Sequence, residues 1–296
     1  MRVKIIVNPG AGQPEPILSI LNDTLGKAGL DWDVDVTHKA GDGFDAARNA
    51  AKEGYDLVCS YGGDGTVSEV AAALAESGTI MAILPGGTGN GLADDLGIPG
   101  DLASAAELVA SQAYDVRAVD VGRVGDKLFV LRVTMGFEAS VVETATRDLK
   151  DKFGSLAYAF AGLQTLANPP KATYSIEVDG KTYEAEGMAC IVANSASTGV
   201  LGLKLSDAVD VSDGQLDVII AEQADLATLA GTAADAVAGA EPRSFCRWTG
   251  KKITVKSTPG QSVLADGEDA GTTPVEISVI PGALKIVVPR AAEPSE

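Results

Sequence analysis

The stretch Asp56-Leu57-Val58-Cys59-Ser60-Tyr61-Gly62-Gly63-Asp64-Gly65-Thr66-Val67-Ser68-Glu69 decides how this chain folds. An apolar run rich in strand formers stops at paired glycines, and apolar residues at helical spacing follow. This predicts a strand, Asp56–Tyr61, turning through glycine into a helix over Val67–Ser77. The same alternation extends outward. Val3–Asn8, Asp33–His38 and Ile80–Leu84 read as strands, with helices over Ile17–Ala28 and Phe44–Lys52 between them. Strands that are apolar almost throughout, alternating with helices, form a parallel sheet covered on both faces. Such sheets bind ligands at the carboxyl ends of their strands. Three predicted strand ends here run into Gly-rich loops: Asn8-Pro9-Gly10-Ala11-Gly12, Gly62–Thr66 and Pro85-Gly86-Gly87-Thr88-Gly89-Asn90.

The pattern changes near residue 118. Val119–Val124, Lys127–Thr134, Ala172–Val178, Lys181–Asn194, Leu216–Glu222, Lys252–Lys256, Ser262–Ala265, Val275–Ile280 and Leu284–Val288 read as strands, and Asp179-Gly180 is a hairpin signal. Phe153–Ala167 and Asp225–Ala238 read as helices. The expected architecture is an α/β N-terminal domain with a mostly parallel sheet over 1–118. A C-terminal, mostly antiparallel β-sandwich domain over 119–290 and a tail, 291–296, complete it.

Composition narrows the function. The 296 residues carry 23 Lys+Arg against 41 Asp+Glu, a formal charge of −18, so no nucleic-acid partner is expected. Hydrophobic residues make up 46%, enough for a packed core rather than a disordered chain. No run of about 18 apolar residues occurs, so no transmembrane segment is expected. The N-terminus has only Ile5-Ile6-Val7 before Asn8-Pro9, unlike a signal peptide, which points to a cytoplasmic protein. Cys59, Cys190 and Cys246 are isolated and odd in number, the pattern of buried thiols rather than of disulfides or zinc. His38 is the only histidine, read as structural, so a catalytic triad would rest on it alone. Any metal is therefore a hard cation on carboxylates and carbonyls, Mg²⁺ or Ca²⁺.

The loops carry the chemistry. Glycines after a strand let backbone N–H groups approach an anion, and the following helix aims its positive end there. Asp64 would repel a phosphate unless a cation lay between them, which points to Mg²⁺. By itself the run is also a tight strand-to-helix turn capped by Thr66. The Pro85–Asn90 loop at the next strand end tips the balance, since Thr88 can donate a hydroxyl to phosphate and Asn90 can cap a helix or contact a nucleotide. No Gly-x₄-Gly-Lys-Ser/Thr run occurs. Gly41–Ala46 reads as a helix-entry turn rather than a dinucleotide fingerprint.

Taken together, Asn8-Pro9 with Gly12, Gly62–Thr66 with Glu69, and Leu84–Asn90 resemble the diacylglycerol kinase catalytic domain, shared by bacterial lipid kinases and by diacylglycerol, sphingosine and ceramide kinases. Val119–Gly122, Gly136–Ala139, Ser212–Asp217 and Asp266-Gly267-Glu268 continue the likeness. The resemblance implies an ATP site in the cleft between a nucleotide domain and a β-sandwich. It also implies an ATP- and Mg²⁺-dependent kinase acting on diacylglycerol or a related lipid alcohol. Its nucleotide set would be Asn8, Pro9, Gly10, Ala11, Gly12, Thr37, Gly63, Asp64, Gly65, Thr66, Val67, Ser68, Glu69 and Thr88, with Asn90 beside them. Ser212, Asp213, Gln215 and Asp217 resemble its Mg²⁺ site, and Glu268 its proposed general base. Asp64 would hold the phosphates through metal. Ser68, Glu138 and Asp94 depart from the family's usual Asn, Asp and Arg, and Asn194–Gly199 and Leu205-Ser206-Asp207 depart on the acceptor side.

The rival readings are an NAD kinase or phosphofructokinase relative and a noncatalytic lipid- or nucleotide-binding protein. A lipid acceptor implies weak, reversible docking at a membrane surface, for which Phe153, Leu156, Tyr158 and Phe160 are candidates, although core packing is the commoner role of such side chains. Exposed sandwich edges would permit a homodimer.

Overall fold

The computed structural model describes residues 1–12, 15–87, 89–136, 171–197, 206, 208–221 and 245–290. The chain divides into two compact units, Met1–Val119 with Gly282–Glu296, and Asp120–Pro281.

In the first unit, strands β1 (Arg2–Val7), β2 (Asp31–Val36), β3 (Leu57–Gly62) and β4 (Ile80–Pro85) pair in parallel in the order β2-β1-β3-β4. Every residue of β3 is buried, because the strand is central and covered on both faces. Edge strand β2 alternates with Asp31, Asp33 and Asp35, a charged edge that resists further pairing. Helices α1 (Ile17–Leu21), α2 (Asp42–Lys52), α3 (Asp64–Leu74), α4 (Gly91–Asp95) and α5 (Leu102–Ser111) connect the strands. Ala47, Ala50, Val67, Val70 and Leu74 bury small faces of α2 and α3, while Ile5, Val58, Met81 and Leu84 fill the sheet.

Local differences from the sequence reading have local causes. The predicted helix Ile17–Ala28 is α1 followed by a π-helical turn, Asn22–Gly26. There the Thr24 hydroxyl bonds the carbonyls of Ile20 and Leu21, and the Lys27 N–H reaches back to Asn22. Helix α3 begins at Asp64 rather than Val67, since extended Gly63 is its N-cap and Thr66 lies inside the first turn. Helix α5 has no counterpart in that reading, although Asp101 caps it by accepting the Ser104 N–H at 2.9 Å, and that bond lowers the Asp101 pKa.

Strand β5 (Tyr114–Val124) runs from the first unit into the second. There follow β6 (Lys127–Phe129), β7 (Arg132–Gly136), β8 (Ala172–Val178), β9 (Lys181–Gly187), β10 (Ala189–Ala193), β11 (Leu216–Ala221), β12 (Phe245–Gly250), β13 (Lys252–Thr258), β14 (Ser262–Ala265), β15 (Glu268–Thr272) and β16 (Val275–Pro289). One antiparallel sheet of this unit runs β16-β13-β8-β9, through the first part of β16. The other runs β12-β11-β10-β7-β14-β15. Tyr174, Ile176, Ile253 and Val255 of the first share a core with Met135, Cys190, Val192, Val218, Ile220 and Val263 of the second, which makes the unit a β-sandwich.

The expected hairpin at Asp179-Gly180 is present, with φ 47° and 83° as a primed turn requires. The single strand expected over Lys181–Asn194 is two. Gly187 sits against Ile220 and Ala221, and the Met188 N–H bonds the Ala221 carbonyl, so the chain passes from one sheet to the other there. Val275–Ile280 and Leu284–Val288 are one strand, β16. Its end, from Gly282, groups with the first unit, not with the second as expected over 119–290, because Lys285 and Ile286 pair in parallel with Ile80 and Met81. Cys59 and Cys190 are buried and Cys246 half-buried, all as free thiols. The predicted helices Phe153–Ala167 and Asp225–Ala238 and the tail 291–296 lie outside the described residues.

Candidate functional site

The three Gly-rich loops meet at the carboxyl ends of β1, β3 and β4. Asn8 takes its place by donating its N–H to the Tyr61 carbonyl at 2.9 Å and its side-chain amide to Thr66 Oγ1 at 3.1 Å. Its own oxygens accept the Gly10 and Ala11 N–H groups, which curls Asn8–Gly12 into a tight turn. The Gly86 N–H bonds the Gly62 carbonyl at 3.0 Å. Glycine is obligatory at the crossings. A methyl group on Gly12 (φ +67°) would lie 1.8 Å from the Gly86 oxygen, and one on Gly87 would lie 2.5 Å from the Gly63 Cα. Asp64 Oδ1 accepts the Gly91 N–H at 2.8 Å, tying the start of α3 to the start of α4. Asn90 closes the third loop on itself through Gly87, at 3.3 and 3.0 Å. Thr88 lies outside the described residues.

Gly63, the N-cap of the 11-residue α3, offers no side-chain cap, and Gly65 in the first turn is exposed, with nothing among the described residues within 4 Å of where a Cβ would stand. The other described residues of the expected nucleotide set are engaged within the unit. Val67 is buried in the core. Thr37 bonds the Val7 carbonyl through its N–H at 2.9 Å. Both carboxylate oxygens of Glu69 accept N–H groups at 2.9 Å, from Gly41 and Gly43, which couples α3 to the entry of α2. His38 is exposed, and its N–H bonds Asp42.

In the second unit, Asp266-Gly267 is the turn joining β14 to β15, with φ 46° and 85°. The Asp266 carboxylate accepts three N–H groups, from Val130, Leu131 and Arg132, at 2.8–3.0 Å. Glu268 is thereby presented at the head of β15, 61% exposed, with the Lys127 ammonium 3.1 Å from its Oε2. Asp213 lies in an acidic loop beside Asp120 and Asp210. Desolvation first, then the charges of Asp217, Asp210 and Asp120, raise its pKa, against the Gln215 N–H that it accepts at 2.9 Å. Ser212 donates its N–H to Asp210, and Gly214 donates to Asp120. Buried Asp217 faces Arg247 and Thr249, at 2.7 and 2.8 Å.

Comparison with known proteins gives this geometry its relatives. Residues 2–124 match the diacylglycerol kinase catalytic domain, and residues 131–288 the YegS C-terminal NAD kinase beta sandwich-like domain. The chain belongs to the diacylglycerol kinase catalytic-domain family. It is 29% identical to a Bacillus subtilis protein named diacylglycerol kinase, across 98% of this chain and 97% of the other. It is 31% identical to a Pseudomonas putida protein named "probable lipid kinase YegS-like", across 98% and 96%. A solved diacylglycerol kinase from Bacillus anthracis superposes with a TM-score of 0.82 at 27% identity, covering 97% of this chain and 96% of that one.

For a lipid kinase the donor loops fit a nucleotide, because glycines let their backbones cross closely beside the start of α3, where Gly65 is exposed. The fit to a cation is narrower. Among the described residues no three His, Cys, Asp or Glu side chains gather as a metal site. Asp213, whose pKa burial and then the neighbouring carboxylates raise, would hold a largely hydrated Mg²⁺ with main-chain oxygens, whereas Asp217 is committed to Arg247. Sequence reading passes over Tyr61, Arg247 and Lys127, whose partners are 46, 30 and 141 residues away. Among the described residues no helix is long and apolar enough to cross a membrane.

Proposed function

We propose that this protein transfers the γ-phosphoryl group of ATP to the hydroxyl of diacylglycerol or a related lipid alcohol, with Mg²⁺ as cofactor. The observation that carries the reading is the interlock of the Asn8–Gly12, Gly62–Thr66 and Pro85–Asn90 loops beside the start of α3 and its exposed Gly65. Bound Mg-ATP would supply the electrophilic phosphorus and a neutralised leaving group. The chain's own task is positioning and charge stabilisation, which govern phosphoryl transfer. The N–H groups of Gly65 and its neighbours would take phosphate oxygens. Asp64 keeps those loops in register through Gly91. Glu268 is the general base for the acceptor hydroxyl. It touches Lys127 in an exposed pair, and such pairs contribute little, so its carboxylate is free to turn to an acceptor. With a charge of −18, docking on anionic lipid is weak and reversible, through apolar side chains. The candidate segment at Phe153, Leu156, Tyr158 and Phe160 lies outside the described residues.

A lipid-panel phosphorylation assay of the parent and Glu268→Gln tests the reading. The parent should phosphorylate a lipid alcohol. Glu268→Gln should fold, bind Mg-ATP as the parent does, and lose about 10²–10⁴-fold in rate. A variant near the parental rate would remove Glu268 from the mechanism. A parent that binds Mg-ATP yet phosphorylates no lipid would leave a nucleotide-binding protein.

A further inference from the structure

Tyr61 is the penultimate residue of β3, just before Gly62-Gly63, and its backbone and side chain reach three parts of the nucleotide face. Its carbonyl accepts the Asn8 N–H at 2.9 Å, where the first loop begins. Its phenol donates to Glu15 Oε1 at 2.5 Å, just after that loop ends. Its ring lies under Gly86 of the third loop, so close that a Cβ there would stand 2.7 Å from Tyr61 Cζ. Gly12 in turn passes close to the Gly86 carbonyl, where a Cβ on it would stand 1.8 Å from the oxygen. Tyr61 is fully buried, whereas Glu15 is exposed. A surface carboxylate is thus anchored by a core phenol, and burial first, then Glu15, push the Tyr61 pKa up, so the phenol stays a donor.

We propose that Tyr61 and Glu15 form a latch that positions the Asn8–Gly12 loop for nucleotide, with Tyr61 a positioning residue rather than a catalytic one. This rests on the ATP reading given above. The loop's internal bonds, Gly10 and Ala11 onto Asn8, are local and set its shape but not its place. Its start is held by the Asn8 N–H on the Tyr61 carbonyl and the Asn8 side-chain amide on Thr66, and the phenol–carboxylate bond anchors the chain at Glu15, three residues past Gly12. Without that bond the far end samples open positions, and the apparent nucleotide affinity falls with the fraction of loop in place. Loss of one hydrogen bond to a charged acceptor predicts about a tenfold weaker Mg-ATP dissociation constant in Tyr61→Phe. Stability should change little, because the ring stays packed and Glu15 returns to water.

The test combines Mg-ATP titration, steady-state kinetics and amide hydrogen exchange on the full chain. Tyr61→Phe and Glu15→Ala should each raise the Kd and KM for Mg-ATP by about tenfold, with kcat at saturation and the lipid KM unchanged. Glu15→Gln, which still accepts the phenol proton, should restore near-parental affinity. The double variant should be no worse than either single one. Without nucleotide, the Gly10–Gly12 amides should exchange faster in Tyr61→Phe. Parental Mg-ATP affinity in Tyr61→Phe, or weak binding in Tyr61→Phe but not in Glu15→Ala, overturns the latch while leaving the ATP reading intact. A parent that does not bind Mg-ATP overturns both, and its own titration shows that directly.

Discussion

Replacing Asp266 separates two contributions to the hairpin that presents Glu268. The carboxylate accepts three N–H groups, from Val130 at 2.8 Å, Leu131 at 3.0 Å and Arg132 at 2.9 Å, across a gap of more than 130 residues. Hydrogen bonds to a charged group are worth roughly 1.5–3 kcal/mol each. Water reaches this partly buried site and the three bonds share one acceptor, so their sum is reduced to about 3 kcal/mol. Asp266 also stands at φ 46°, which an Ala side chain tolerates at a cost of about 1 kcal/mol and Gly at none. Asp266→Ala should therefore lose about 4 kcal/mol and Asp266→Gly about 3 kcal/mol. Asp266→Asn, which keeps one acceptor oxygen and tolerates the backbone, should lose about 1–2 kcal/mol. Urea unfolding followed by Trp248 fluorescence in a Trp32→Phe background reads the second unit, to which Trp248 belongs. Asp266→Gly within about 0.5 kcal/mol of the parent would refute the carboxylate's role. Equal stability of the Ala and Gly variants would refute the backbone argument.

Gly87→Ala would put a Cβ 2.5 Å from the Gly63 Cα, so the two loops must move apart: the ligand-free melting temperature should fall, and a shift on adding Mg-ATP in the parent should be absent from the variant; scanning calorimetry with and without nucleotide checks both. Asp213→Asn should raise the melting temperature of the metal-free protein at pH 7, because a raised carboxyl pKa means that stability present below pH 3.8 is lost as the pH rises through the folded value. If Asp213 holds the proposed Mg²⁺, the parent should gain melting temperature on adding Mg²⁺ and the same variant should not, read by thermal melts against chelator. Burial pushes the Cys59 thiol from an ordinary 9.0 up to about 12. Its contribution is complete below about pH 9 and fades as the pH rises towards 12, so Cys59→Ala should lose less melting temperature between pH 8 and pH 11 than the parent does.

Periodicity makes most of the framework readable. β3 is all but continuously apolar and wholly buried, and its glycine stop marks where the chemistry-bearing loop begins. β8 and β14 have the boundaries that their alternation predicts. Strands β12 and β15 escape that reading because FCRWTG and EDAGT carry little apolar pattern, and both lie at the outer edges of the second sheet.

Hydrophobic period and glycine are local signals, so the order of amino acids is enough to say which elements exist and which strand ends carry chemistry. What the polar side chains do is settled only in the folded chain. Glu69, Asp266 and Asp217, which by composition are candidate ligands or catalysts, spend their oxygens on N–H groups and an arginine 26 or more residues distant. Folding likewise makes Gly187 a passage between sheets and pairs the end of β16 with β4. A carboxylate's partner is chosen by proximity in space, and proximity across such separations is written in the packing of the whole sheet, not in neighbouring residues.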